Sequence, residues 1–381
     1  MEQVAIIGVG MTGFGKHPQR SLVDLAAEAA RDAIKDAGIR PAQIGAGFFA
    51  NGLAGRLFGD FTIGQNVLWQ VGINRVPVIN VENACTSGST ALYLAANAVA
   101  AGQAEAAIAV GAEKMYVPEF GLISSGQSEL DTQLGLVAPA SFALRAVRYI
   151  AEFGATPEQL AQVAVKNRRH AQRNPRAQYR DPITVEEVLA SPMIVDPLTR
   201  LQCCPIADGA AAAVVCSASM ARRLKRAVTL NAMVLTSGGY ESPQDLVRWE
   251  TDYRSCRLAY EKAGVGPEDL NVAEVHDAFS ISEILHYEAM GLCNAGEGVR
   301  LVAEGVTALG GRCPVNVSGG LLSRGHPVGA TGIAQVFEIV TQLRNEAGER
   351  QVSGASVGLA HCMGGDKAAD TKSCTVAILS K

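Results

Sequence analysis

Apolar positions follow two rhythms along this chain. Short apolar stretches at Val4–Val9, Gly47–Ala50, Val78–Val81, Ala106–Val110 and Val272–Val275, the third and last of them interrupted by Asn80 and Glu274, read as strands, the first of them buried. Between the first two, Leu22, Leu25, Ala26, Ala29 and Ala33 recur at the spacing of one helix face, which predicts a helix over Leu22–Ala37. Ser21 is placed to cap its N-terminus and Gly38 to end it. A helix of small residues is predicted over Ser87–Ala101, stopped by Gly102, and a further strand over Asp208–Ala218. The alternation of strand and helix predicts an α/β protein.

The chain is also partly a repeat. Shifted by 226 residues, Ala37-Gly38, Pro41 and Ile44 fall on Ala263-Gly264, Pro267 and Leu270, each ahead of a strand. Shifted by 241, Gly88, Thr90 and Ala91 fall on Gly329, Thr331 and Gly332, and an insertion near Gly296–Gly311 makes up the difference. Two homologous α/β halves explain both matches. Tyr116–Pro205 has another texture, with many Arg and Pro residues, and reads as an insertion. The expected division is an N-terminal half over 1–115 and 206–222, an inserted loop domain over 116–205, and a C-terminal half over 223–381.

Composition narrows the function. With 381 residues the chain exceeds one ordinary core, and 18% charged against 48% hydrophobic residues excludes disorder. A formal charge of -4 and few aromatics argue against nucleic acid as a partner. Apolar runs are far shorter than the ~20 residues of a membrane span. The start lacks the marks of a signal peptide, and Ile378–Lys381 is not the peroxisomal Ser-Lys-Leu address. Nine scattered cysteines fit a reducing cytoplasm. None is in CxxC spacing, so no metal site is expected.

Gly8, Gly10 and Gly13 spell GxGxxG after a strand, but the helix begins only at Ser21 and no acidic residue ends the second strand. The dinucleotide reading is therefore set aside. Cys85, in Asn83-Ala84-Cys85-Thr86-Ser87-Gly88, sits between a strand and a helix N-terminus, where the helix dipole favours thiolate. It reads as a nucleophile or as a small buried hydrophobe. The 241-residue shift sets Cys85 against His326, in Gly325-His326-Pro327, so related helix N-termini could bring thiol and imidazole together. His276 ends the strand Val272–Val275, where α/β sheets bind ligands, and reads as a site residue or a core histidine. Cys362 lies in His361-Cys362-Met363-Gly364-Gly365, and Gly364 lets a backbone N–H approach a substrate oxygen. His17, His170, His286 and His361 read as structural or exposed. The basic run from Lys166 to Arg180, with Arg168, Arg169 and Arg173, reads as a solvated helix face or as a contact for phosphates.

Across these segments the sequence resembles the thiolase family, most strongly its sterol-carrier-protein-type members. The match comprises Asn83-Ala84-Cys85, Leu201-Gln202-Cys203-Cys204-Pro205, Asp208-Gly209-Ala210-Ala211, His276-Asp277-Ala278-Phe279 and Gly325-His326-Pro327. The resemblance implies a five-layer αβαβα fold of two duplicated halves plus an inserted loop domain, assembled as a dimer or tetramer. It implies an acyltransferase acting on acyl-CoA thioesters, with coenzyme A as co-substrate and no permanently bound cofactor. Cys85 would carry the acyl group and His326 would activate it. His276 with His326 would form one oxyanion hole, and the backbone N–H groups of Cys85 and Gly364 the other. Cys362 would be the acid/base. Ala278 departs from the sterol-carrier pattern, which often has cysteine there; Cys362 supplies the thiol instead. Such relatives include some that work with a separate zinc-ribbon/OB-fold protein and others that act as retro-aldol lyases. A non-catalytic subunit is the third possibility, and retention of all four groups argues against it.

Overall fold

The computed structural model describes residues 3–117, 129–240, 245–367 and 369–381. Its strands are β1 (Val4–Met11), β2 (Ala46–Ala50), β3 (Val78–Val81), β4 (Ala106–Glu113), β5 (Met193–Val195), β6 (Leu198–Thr199), β7 (Gly209–Ser217), β8 (Val228–Thr236), β9 (Val272–Glu274), β10 (Val357–Lys367) and β11 (Asp370–Ser380). Nine of them form one sheet in the order β3-β2-β4-β7-β1-β8-β11-β10-β9.

The order is palindromic about the β1–β8 junction. In the N-terminal half β2 pairs parallel with β3 and β4, and β7 pairs antiparallel with β4 and β1. In the C-terminal half β9 pairs parallel with β10, and β11 pairs antiparallel with β10 and β8. The counterpart of β3 is reduced to one parallel bridge between Ala273 and Val315. The halves join through three antiparallel residue pairs, Val4 to Ile6 against Leu230 to Val228.

The helices build the remaining layers. Helix Leu22–Ala37 covers β1 and β7 from outside. Ser21 and Asp24 form a reciprocal capping box at its start, and Gly38 ends it at φ 65°. Leu25, Ala29 and Ala33 on its inner face are fully buried. Gly8 and Gly10 lie inside β1, where a Cβ would meet the carbonyl oxygens of Ala33 and Ala29 at 2.1 and 2.2 Å. These glycines serve close strand–helix packing, not a dinucleotide loop. Helix Glu250–Ala263 covers β8 and β11 in the same way. Between the two half-sheets lie helices Ser87–Ala100 and Val328–Leu343, packed on each other. Their crossing needs glycine: a Cβ on Gly88 would come within 2.6 Å of the Gly329 carbonyl oxygen. The result is the five-layer α/β architecture that the resemblance implies.

The inserted segment holds more regular structure than a loop. It contains helices Ala138–Phe153, Pro157–Ala171 and Val185–Ala190 and the β5–β6 hairpin. Tyr149, Leu160 and Val188 share one apolar core with Trp249, Ile284 and Leu359, so the insertion packs on the C-terminal half. Part of it, 118–128, lies outside the described residues.

Candidate active site

Cys85 is delivered by a tight elbow. The chain leaves β3, and Ala84 takes φ 48°, a left-handed conformation that non-glycine residues rarely adopt. Side chains hold the elbow: Ala84 N–H donates to Glu82 Oε1 at 2.8 Å, Asn83 N–H to Ser87 Oγ at 2.8 Å, and Ser87 Oγ to the Ala84 carbonyl at 2.6 Å. Helix Ser87–Ala100 starts immediately after.

His326 arrives from the other half. Its Nε2 lies 3.3 Å from Cys85 Sγ, and its Nδ1 lies 2.7 Å from Thr331 Oγ1, one turn into the second central helix. Thr331 Oγ1 also donates to the Pro327 carbonyl at 3.0 Å. Glu113, at the end of β4, ties this loop to the N-terminal half. It accepts from Gly329 N–H, Gly52 N–H, Leu53 N–H and Asn51 Nδ2. Burial nevertheless pushes its carboxyl up to about 7.

His276 follows β9, with its ring 5.2 Å from the His326 ring and nearly perpendicular to it. Its Nε2 is buried and has no protein partner. The next residue, Asp277, accepts from Leu321 N–H at 2.7 Å and from Asn167 Nδ2 at 2.7 Å, which binds the His276 loop to the loop before His326. Cys362 lies in β10, directly behind the nucleophile elbow, and its Sγ donates to the Cys85 carbonyl at 3.1 Å. The ligand atoms of Cys85, His276 and His326 lie within 4.8 Å of one another.

The thiol does not rest as thiolate, contrary to the expectation from the helix dipole. Burial, with Glu113 and Glu82 nearby, pushes Cys85 up to about 12, although Gly365 N–H is directed at its sulfur. Burial, then the charge of Arg324, lowers His326 to about 3. The pair is therefore a neutral thiol facing a neutral imidazole, and ionisation requires proton transfer between them. Burial holds the Cys362 thiol well above its usual range and His276 well below its own.

These groups meet at a cavity of about 910 Å³ lined by Cys85, His276, His326, Met363 and Gly365 among others. Its inner wall is aromatic, with Phe142 stacked on Phe279 at 4.4 Å and edge-on to Trp249 at 5.9 Å. Lys16, Arg168, Arg200, Lys367 and Lys372 also line it. The basic run is thus divided by its fold. Arg168 is buried against Tyr179 and reaches the cavity, whereas Arg169 and Arg173 are exposed and do not line it. Lys166 is buried and paired with Glu283 at 2.7 Å, so it is unavailable to phosphates. Gly364 closes against the elbow, where a Cβ would come within 2.9 Å of the Asn83 oxygen and the Thr86 nitrogen.

Sequence reasoning did not single out Glu113, Thr331 or Arg200. The only local signal was for Glu113, a lone carboxylate ending an apolar strand. His286 and His361 are both buried beside Asp252 rather than exposed.

Comparison with known proteins agrees with this geometry. The profile of the Thiolase, N-terminal domain matches residues 4–219, and that of the Thiolase C-terminal domain-like family matches 234–381. The benzoylsuccinyl-CoA thiolase subunit BbsB of Thauera aromatica is 41% identical, over 95% of each chain. An acetyl-CoA acetyltransferase of Methanothermobacter thermautotrophicus is 42% identical, over 96% of this chain and 97% of its own. The solved Ltp2-ChsH2(DUF35) aldolase superposes with a TM-score of 0.83 at 28% identity, covering 99% of this chain and 97% of that one. The palindromic sheet, the paired central helices and both matching profiles agree: the chain belongs to the thiolase family.

Proposed function

We propose that this chain is an acyl-CoA C-acyltransferase that cleaves a 3-oxoacyl-CoA with CoA, or runs the reverse Claisen condensation, through an acyl group on Cys85. The observation that carries the reading is the placing of two thiols and an imidazole at one elbow: His326 Nε2 3.3 Å from Cys85 Sγ, and Cys362 Sγ 3.1 Å from the Cys85 carbonyl.

In the cleavage direction His326 takes the Cys85 proton as sulfur attacks the 3-keto carbon. The oxygen of that carbon becomes negative beside the backbone N–H groups of Cys85 and the Gly364-Gly365 pair. The bond between C2 and C3 then breaks, and its electrons form a thioester enolate whose oxygen lies next to the His276 Nε2 edge, which has no competing protein partner. Cys362 leaves the Cys85 carbonyl and protonates C2, and acetyl-CoA or its substituted analogue departs. CoA next gives its thiol proton to the Cys362 sulfur and attacks the thioester on Cys85; the new acyl-CoA leaves, and the Cys85 sulfur recovers its proton from His326. The same acyl oxygen again takes the charge, beside the backbone N–H of Cys85 and the Gly364-Gly365 pair. Gly365 is its cavity-lining member, and its N–H is directed at Cys85. Lys16, Arg168 and Arg200, which share the lining with Glu82, Glu129, Asp131 and Asp366, are the cations we assign to the CoA phosphates. In this direction the reaction is a chain-shortening step of the β-oxidation type.

The same reading includes a homo-oligomer. β3 is an edge strand, and Ile79 on it, with Phe61 and Trp69 nearby in sequence, is strongly exposed, a surface suited to a second copy of the chain. A separate zinc-ribbon/OB-fold partner is proposed by analogy with the DUF35 component of the aldolase complex. No described helix is long and apolar enough to cross a membrane, and nine free thiols fit the reducing cytoplasm we assign. The alternative, a retro-aldol lyase on CoA thioesters, draws on the likeness to that aldolase. Mass spectrometry of products separates the two when a 3-oxoacyl-CoA is offered with CoA and a 3-hydroxyacyl-CoA is offered without it. CoA-dependent products and a trapped acyl group on Cys85 support the thiolase reading; CoA-independent cleavage supports the lyase.

A further inference from the structure

At the cavity wall, which His286 helps to line, a buried cluster plays no part in the reaction above. Asp252, in the first turn of helix Glu250–Ala263, accepts from His286 Nδ1 at 2.6 Å on one oxygen. Its other oxygen faces His361 Nε2 at 2.9 Å. All three side chains are almost completely buried. The two histidines lead to the two catalytic segments of the C-terminal half. His286 Nε2 donates to the backbone carbonyl of His276 at 3.1 Å. His361 immediately precedes Cys362 in β10.

The two ring nitrogens of His286 thus span from a carboxylate to a backbone carbonyl and hold the ring between them. Burial alone would raise Asp252, but the two histidines outweigh it and hold the carboxyl well below its usual range. Burial lowers His361, whose Nδ1 has no partner, as fits a neutral ring with hydrogen on Nε2. Trp249 stacks on His286 at 5.4 Å and 19°, and both line the cavity. A metal ion would need different spacing. Ligands at roughly 2.0–2.2 Å from one tetrahedral ion stand roughly 3.3 Å or more apart. Separations of 2.6 and 2.9 Å are those of hydrogen bonds.

We infer that Asp252 is a positioning residue that fixes the oxyanion histidine His276 and the acid/base Cys362 in mutual register, through His286 on one side and His361 on the other. The inference rests on the thiolase reading of those two residues. Asp252 touches neither Cys85 nor His326, so its effect belongs to carbon–carbon bond making and breaking and not to activation of the nucleophile.

The test is D252N in the full-length protein. Asparagine keeps one acceptor and loses the charge, so one of the two histidine contacts fails. Thiolysis kcat is expected to fall on the order of 10- to 100-fold. KM for CoA and the rate of Cys85 alkylation by iodoacetamide should stay within about twofold of wild type. Should D252N fail to fold, His361 offers a graded pair: H361Q keeps a donor toward Asp252 and should retain activity within about threefold, whereas H361F should lose it as D252N would. Wild-type kcat in D252N or H361F, equal slowing of alkylation and thiolysis, or stoichiometric zinc in the purified protein would each overturn the inference. Absence of CoA-dependent cleavage by wild type would instead overturn the thiolase reading.

Discussion

Thr331 Oγ1 lies 2.7 Å from His326 Nδ1 while donating its own hydrogen to the Pro327 carbonyl. A hydroxyl engaged in this way can only accept from the imidazole. His326 therefore carries its hydrogen on Nδ1 and presents a bare Nε2 to Cys85.

The His326→Ala variant is expected to slow iodoacetamide alkylation of Cys85 near neutral pH by about 100-fold, because a thiol at about 12 must then ionise unaided. The Thr331→Val variant should slow it by about tenfold through loss of the fixed tautomer. In wild type His326 stays unprotonated down to about 3, so no loss of alkylation with a midpoint near 6.5 is expected on acidification. Such a midpoint, abolished by His326→Ala, would contradict the neutral pair.

The Cys85→Ser variant should keep the fold and lose acyl-enzyme, with kcat down at least about 1,000-fold. Intact-protein mass spectrometry after incubation with an acyl-CoA gives the answer. A trapped acyl group at the wild-type rate would remove Cys85 as nucleophile.

In the Cys362→Ala variant, exchange of acetyl-CoA α-hydrogens with deuterated solvent should stop. Acyl transfer from an acyl-CoA to Cys85 should continue, since it makes and breaks only thioester bonds. Exchange at the wild-type rate in the folded variant would take Cys362 out of the mechanism.

Glu113 titrates at about 7 in the fold against an ordinary 4.5. The folded state thus binds its proton more tightly than the unfolded chain, and stability should decline as pH rises from about 4.5 to about 7. Denaturant unfolding at pH 5 and pH 8 should show that decline in wild type, and a smaller one in the Glu113→Gln variant. Equal slopes in the two proteins would assign the pH dependence elsewhere.

A Cβ at Gly329 would come within 2.7 Å of the Ala112 oxygen and 2.9 Å of the Ala50 oxygen. The Gly329→Ala variant should lose roughly 1–3 kcal/mol of stability, read by denaturant midpoint, and should also displace His326. Wild-type stability would show that the helix crossing has room to relax.

Much of this site was legible because its signals are local. Ser21 and Gly38 bound their helix by capping chemistry, and Cys85 and His326 stand beside glycines at equivalent places in a repeat. The Asp252, His286 and His361 cluster carried no such mark. Its members come from a helix start, a helix interior and a strand, and only tertiary packing brings them together. The thiol state of Cys85 was misread for the same reason: the dipole at a helix start is a local feature, whereas burial is a property of the assembled molecule. Arg168 and Arg169 are neighbours in sequence, yet which of them turns inward is decided by what the helix Pro157–Ala171 packs against.

The central pair of helices has a kinetic consequence. Cys85 and His326 are 241 residues apart, and β1 cannot complete its pairing until β7 has been synthesised. Contacts this distant in sequence form late, after the entropy of closing long loops has been overcome. A nascent chain holding the entire N-terminal half would contain Cys85 but not His326, and on the proposed mechanism would remain chemically silent. Recovery of activity during refolding should therefore trail recovery of helical signal, and catalysis becomes a clock for the final docking of the two halves.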